Sequence, residues 1–244
     1  MENSKMLDVH PPHEAAHTWK DFLIHIATIV VGLLIAIGLE QTVEAVHHYR
    51  ERNALKEDMH AEAERAIKVM DADLEMHRLY RNWLTSSREA MLNAKPSGGI
   101  ITFQISPFPG GDYRIPPRSV WSIARADNTA ALVPKNLAEI YTRLDYDAEQ
   151  YFIAMHRRFE AEDAFTAITL RVSLKHDGSF HLTQAQANEF LAASSTLEAV
   201  IQSEDGWMAV WEGATDAVVH GVQSRDDMDA FMQRRSDTLY KQLK

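Results

Sequence analysis

The densest grouping of chemistry-bearing residues in the chain is His13-Glu14-Ala15-Ala16-His17. Two histidines four positions apart share one face of a helix. Both imidazoles can then ligate zinc, while the glutamate between them acts as general base toward the metal-bound water. Pro12 suits a helix N1 position ahead of that turn, and His10 stands near enough in sequence to add a ligand. The chemistry would be zinc-dependent peptide hydrolysis at a membrane, with Glu14 catalytic and His13 and His17 on the metal; adventitious or regulatory metal binding by His10, His13 and His17 is a separate alternative. The ligand count weighs against hydrolysis. A catalytic zinc takes three protein ligands, and the first carboxylate past the apolar run that follows, Glu40, lies at that run's far end. The favoured reading therefore assigns no catalytic residue and no cofactor, with zinc as the alternative.

Other chemistries are excluded by composition. The chain of 244 residues has no cysteine, which removes disulfides, Cys-ligated zinc, iron–sulfur clusters and thiol nucleophiles. Lys and Arg number 25 against 35 Asp and Glu, a formal net charge of -10, so no diffuse attraction to nucleic acid is expected. No glycine-rich phosphate loop or serine nucleophile elbow is present.

The element that would carry the histidine motif is an apolar run. From Phe22 to Leu39 no Asp, Glu, Lys or Arg interrupts the chain. Eighteen helical residues rise roughly 27 Å, close to the ~30 Å hydrocarbon core of a bilayer. Trp19 and Lys20 supply an interfacial ring and a snorkelling cation at one end. The run predicts a transmembrane helix, with Gly32 and Ala36 a small-xxx-small pair suited to close helix contact. His25 inside the run reads as bonding a neighbouring helix or reaching headgroups. The residues ahead of it carry Lys5 and Lys20 against Glu2, Asp8, Glu14 and Asp21, which suits an uncleaved anchor better than a signal peptide. Lys5 and Lys20 on one side nearly balance Arg50, Arg52 and Lys56 on the other, and the expectation of a signal anchor places the C-terminal domain outside the cytoplasm.

Past the run, Glu40 to Ala94 contains neither Pro nor Gly. Val43, Val46, Met59, Ala63, Ala66, Ile67, Met70 and Leu74 recur at steps of three and four, while charges including Glu57, Asp58, Glu62 and Glu64 cover the other faces. This predicts a long stalk helix that packs on its own domain. Pro96 to Pro117 then reads as an ordered loop, with or without a short hairpin, in which Ile100 to Ile105 are β-type residues. Helices resume at Ser119 to Ala126 and at Lys135 to Val172. In the second, Leu137, Ile140, Tyr141, Leu144, Ala148, Tyr151, Phe152, Met155, Phe159, Ile168 and Val172 trace one apolar face, with Phe152 at its centre and Glu149 on its flank. Lys175 to Ser179 is a turn. Thr183 and Gln186 form a capping box for the next helix, Asp205-Gly206 predicts a break or kink, and Ser224 caps a last helix. Trp121, Trp207 and Trp211 read as core.

The predicted fold is mainly α: a single N-terminal transmembrane helix continuing into a stalk, then an antiparallel helical bundle with one Pro/Gly-rich loop or hairpin insertion. The expected domains are 1–21 (leader), 22–39 (span), 40–95 (stalk), 96–118 (loop) and 119–244 (bundle packing with the stalk).

The segment TWKDFLIHIATIVVGLLIAIGLEQTVEAVHH (18–48), with SVWSIARADNTAALVP (119–134) and EIYTRLD (139–145), resembles a group of bacterial proteins. They pair one N-terminal span ending in a GLLIA-x2-LEQ-type sequence with a helical C-terminal domain. The likeness is good over about the first sixty residues and loose beyond. It implies a single-pass protein of the bacterial inner (cytoplasmic) membrane with similar architecture. It carries over no catalytic residue, since no activity attaches to the group. The expected role is that of an accessory, assembly or ligand-sensing interaction protein. Its expected partners are the lipid bilayer and either a second protein or another copy, met through the span or the bundle.

Overall fold

A computed structural model describes residues 19–106, 113–171 and 179–242. The described elements are α1 (Trp19–Asn93), β1 (Ile100–Gln104), α2 (Val120–Ala126), a 3-10 turn (Thr129–Leu132), α3 (Lys135–Arg171), β2 (Ser179–Thr183), α4 (Gln184–Val219) and α5 (Arg225–Gln242). The protein is mainly α, with one small two-stranded sheet. By its internal contacts the chain divides into Met1–Arg50 and Glu51–Lys244.

In the first unit the described residues are helical throughout. Its 18-residue apolar window has a mean hydropathy of 2.7 and no buried residue, so one helix is long and apolar enough to span a membrane. Leu, Ile and Val are exposed all around it. The two hydroxyls here are satisfied within the helix: Thr28 Oγ1 donates to Ile24 O over 2.9 Å and Thr42 Oγ1 to Gly38 O over 2.7 Å. An apolar surrounding demands that pairing. Val43 and Val46, expected to begin the stalk's packing stripe, are exposed, and burial along α1 starts only at Leu55.

In the second unit α1, α3 and α4 bury two apolar clusters. The first gathers Leu55, Met59, Ala63 and Met70 of α1, Ile140, Leu144 and Tyr151 of α3, Met208 and Trp211 of α4, Trp121 of α2 and Met228 of α5. The second gathers Tyr80, Leu84 and Met91, Phe165, Phe190, Leu197 and Ile201, with Phe103 and Phe180 from the strands. Helix α4 meets these clusters in the opposite order to α3, so the two are antiparallel. Helix α1 meets them in the same order as α3.

Both expected helix caps follow from local chemistry. Gln186 N donates to Thr183 Oγ1 over 3.3 Å and Thr183 N to Gln186 Oε1 over 2.9 Å, a full capping box at α4. At α5, Asp227 N donates to Ser224 Oγ over 3.2 Å. Three expectations are corrected. Asp205-Gly206 does not break α4, which runs through it. The cost of about 1 kcal/mol for a helical glycine is outweighed by burial of the apolar Ile201 and Met208 on either side. The 100–105 segment forms no local hairpin. Gly98 and Gly99, at φ 60° and 78°, close a tight turn between Ser97 and Ile100, but β1 pairs antiparallel with distant β2, Phe103 opposite Phe180. Along α3 the buried line passes through Tyr151, Ala154 and Arg158, leaving Phe152 half-buried and Phe159 exposed.

Candidate functional site

Between the two apolar clusters lies a layer of charged side chains. Each helix contributes at the point where its apolar stripe is interrupted: Asp73 and His77 on α1, Arg158 on α3, Glu204 on α4, all buried. Spacing puts them there. His77 is seven residues past Met70 and seven short of Leu84, Arg158 is seven past Tyr151 and seven short of Phe165, and Glu204 lies between Ile201 and Met208. These are core positions of a helix occupied by polar residues.

Arg158 sits at the centre. Its Nε donates to Glu204 Oε2 over 2.6 Å and its Nη1 to Glu162 Oε1 over 2.8 Å. The guanidinium lies 4.3 Å over the Tyr113 ring and 4.4 Å over that of Phe159. Burial alone would lower its pKa, but Glu204 and Glu162 outweigh that and hold it above the usual arginine value. Beside it, His77 Nδ1 is 2.7 Å from Asp205 Oδ1, and Arg81 Nη1 donates to Asp205 Oδ2. The other imidazole nitrogen, Nε2, faces Glu204 Oε1 at 3.8 Å. Neither atom has a hydrogen-bond partner, and neither does the buried Tyr113 hydroxyl. Leaving such groups unsatisfied costs about 1–3 kcal/mol each.

The electrostatics lean one way. Four carboxylates (Asp73, Glu162, Glu204 and Asp205) meet the guanidiniums of Arg81 and Arg158, with Arg114 at the exposed rim. Burial raises the pKa of Glu204, offset in part by Arg158 and His77. Burial likewise raises that of Asp73, against a hydrogen bond from the Arg114 backbone and the charge of His77. The Tyr113 phenol is pushed up to about 12, chiefly by burial. Chemically, Asp205 fixes one nitrogen of His77 and leaves the other without a hydrogen bond, the arrangement by which a carboxylate orients an imidazole. Here the group facing that second nitrogen is another carboxylate.

Two further polar devices are structural. Glu62, expected on a solvated face, is buried and accepts hydrogen bonds from Ser119 N over 2.7 Å and Val120 N over 3.1 Å, taking the place of a side-chain cap on α2. Arg235 of α5 pairs with Glu212 and Asp216 of α4. Trp121 lines a half-open pocket of about 20 Å³, large enough for one water, and its Nε1 has no partner.

His10, His13, Glu14 and His17 lie outside the described residues. Phe22, Gly32, Ala36 and Leu39 all lie on the exposed apolar part of α1, where a Cβ on Gly32 would meet nothing within 4 Å. The three tryptophans are brought together only in part: Trp121 and Trp211 are buried in the first cluster, and Trp207 packs against it half-buried. The charged layer was not anticipated from the sequence, although a charged residue on each of three apolar stripes was the readable signal. Comparison with protein-family models, with curated proteins and with solved structures finds no match.

Proposed function

We propose that this chain is a single-pass protein of a bacterial inner membrane whose helical domain stands on the extracytoplasmic side. There it serves as an accessory, assembly or ligand-sensing module for a partner protein and has no catalytic role of its own. One observation carries the reading. A single helix, Trp19–Asn93, contains both an apolar window long enough for a bilayer and the buried stripe from Leu55 to Met91 around which the domain is built. A chain so arranged is suited to hold a folded module at a membrane. The charged groups of that module are committed to one another, which favours a structural or sensing use of them over turnover of a substrate. The bacterial setting rests on the resemblance of residues 18–48.

The test is twofold. Reporters fused after Lys244, one fluorescent only in the cytoplasm and one enzymatically active only outside it, should report an external C-terminus. Cytoplasmic fluorescence would refute the orientation. Extraction in mild detergent followed by affinity capture should recover a stoichiometric partner, and recovery of a monomer alone would refute the accessory role.

A further inference from the structure

We propose that His77 and Glu204 together form a single proton-binding site joining α1 to α4, and that its proton holds the charged layer closed. The geometry favours a proton between them. His77 Nε2 and Glu204 Oε1 face each other at 3.8 Å, both buried and both without a partner. Two acceptors there would repel, whereas one proton, on either the imidazole or the carboxyl, turns the pair into donor and acceptor. The remaining contacts of both residues are already assigned. Asp205 holds His77 Nδ1, and Arg158 holds the second oxygen of Glu204.

The surroundings set the sign. From α1 the pair is faced by Asp73 and Arg81, from the segment before α2 by Tyr113 and Arg114, from α3 by Tyr151, Arg158 and Glu162, and from α4 by Asp205. Carboxylates outnumber the buried guanidiniums, so loss of the proton leaves negative charge uncompensated in a dry layer. The folded protein therefore holds this proton more tightly than the unfolded chain does. The stability it confers is full at acid pH and is lost as pH rises through the folded pKa. Asp73, His77 and Arg81 belong to α1, the helix that also carries the apolar window. This names the proton as the ligand of the sensing role proposed above and rests on that reading for its biological use only. The linkage itself is measurable whether or not a partner is found.

The experiment follows the melting temperature of the full-length protein in detergent from about pH 5 to about pH 9, for wild type, Glu204→Gln, His77→Gln and the double variant. Wild type should lose stability relative to Glu204→Gln as pH rises. Either single variant should abolish this component, and the double variant should change it no further, because one proton is shared. A gap between wild type and variant that stays constant with pH would overturn the proposal, and so would additive effects of the two substitutions. If Glu204→Gln does not fold, spectra of wild type and His77→Gln decide. A buried carboxylic-acid band in the infrared spectrum, or a protonated imidazole in spectra of nitrogen-15-labelled histidine, should persist above the ordinary range of that group and vanish in His77→Gln. Absence of both signals would overturn it equally.

Discussion

The Tyr151 and Trp211 rings lie 5.3 Å apart at 35°, α3 against α4, at the centre of the first apolar cluster. Tyr151 is 1% exposed, whereas its neighbour Phe152 is half-buried, with the Arg118 guanidinium 4.2 Å over its ring. Burial thus falls one residue away from the position that the apolar periodicity puts at the centre.

Tyr151→Ala should accordingly cost about 3–5 kcal/mol of stability, and Phe152→Ala about 1–2 kcal/mol, since much of that ring remains in contact with water. Chemical unfolding of both variants in the same detergent measures the difference. Equal losses would contradict the burial described.

Glu62→Ala removes the acceptor for Ser119 N and Val120 N. The amides of exposed Ser119 and half-buried Val120 would lose their carboxylate acceptor, at a cost of about 1 kcal/mol, as for loss of a helix cap. Glu57→Ala, on the exposed side of the same helix, should stay within about 0.5 kcal/mol. Hydrogen exchange at the Ser119 and Val120 amides should accelerate in the first variant and stay unchanged in the second.

Asp147 is fully buried, and burial raises its pKa despite two hydrogen bonds from Arg143 Nε at 2.8 and 2.9 Å. With the folded pKa above the unfolded one, the folded state favours the neutral acid. Stability from this group is present below the unfolded pKa and lost as pH rises through the folded one. Asp147→Asn mimics the neutral form and should melt no lower than wild type at neutral pH, with any gain shrinking as pH falls below the carboxylate range. A variant less stable at neutral pH than at acid pH, relative to wild type, would reverse this assignment.

For the leader, the expectation remains that the H-E-x-x-H match holds no tight zinc. Elemental analysis of dialysed protein should find none in stoichiometric amount, and Glu14→Gln should leave cellular phenotypes intact. Zinc that survives dialysis and disappears in His13→Ala would instead support the metal reading, and loss of function in Glu14→Gln alone would extend it to catalysis.

The sequence by itself determined what depends on neighbours a few residues apart. The apolar run from Phe22 to Leu39, the helical periods, the Thr183–Gln186 capping box and the Ser224 cap are all set within one or two turns of chain, where rotamer, hydrogen-bond and burial preferences act without reference to the rest of the fold. Tertiary structure alone decided three things: that β1 finds its partner in β2, some eighty residues away; that α4 continues through Gly206; and that His77 meets Asp205, 128 residues apart in sequence. Periodicity can show that Arg158 or Glu204 interrupts an apolar stripe. Whether such a charge turns to water or stays buried depends on an opposite charge arriving from another helix, because only that partner offsets the cost of desolvation.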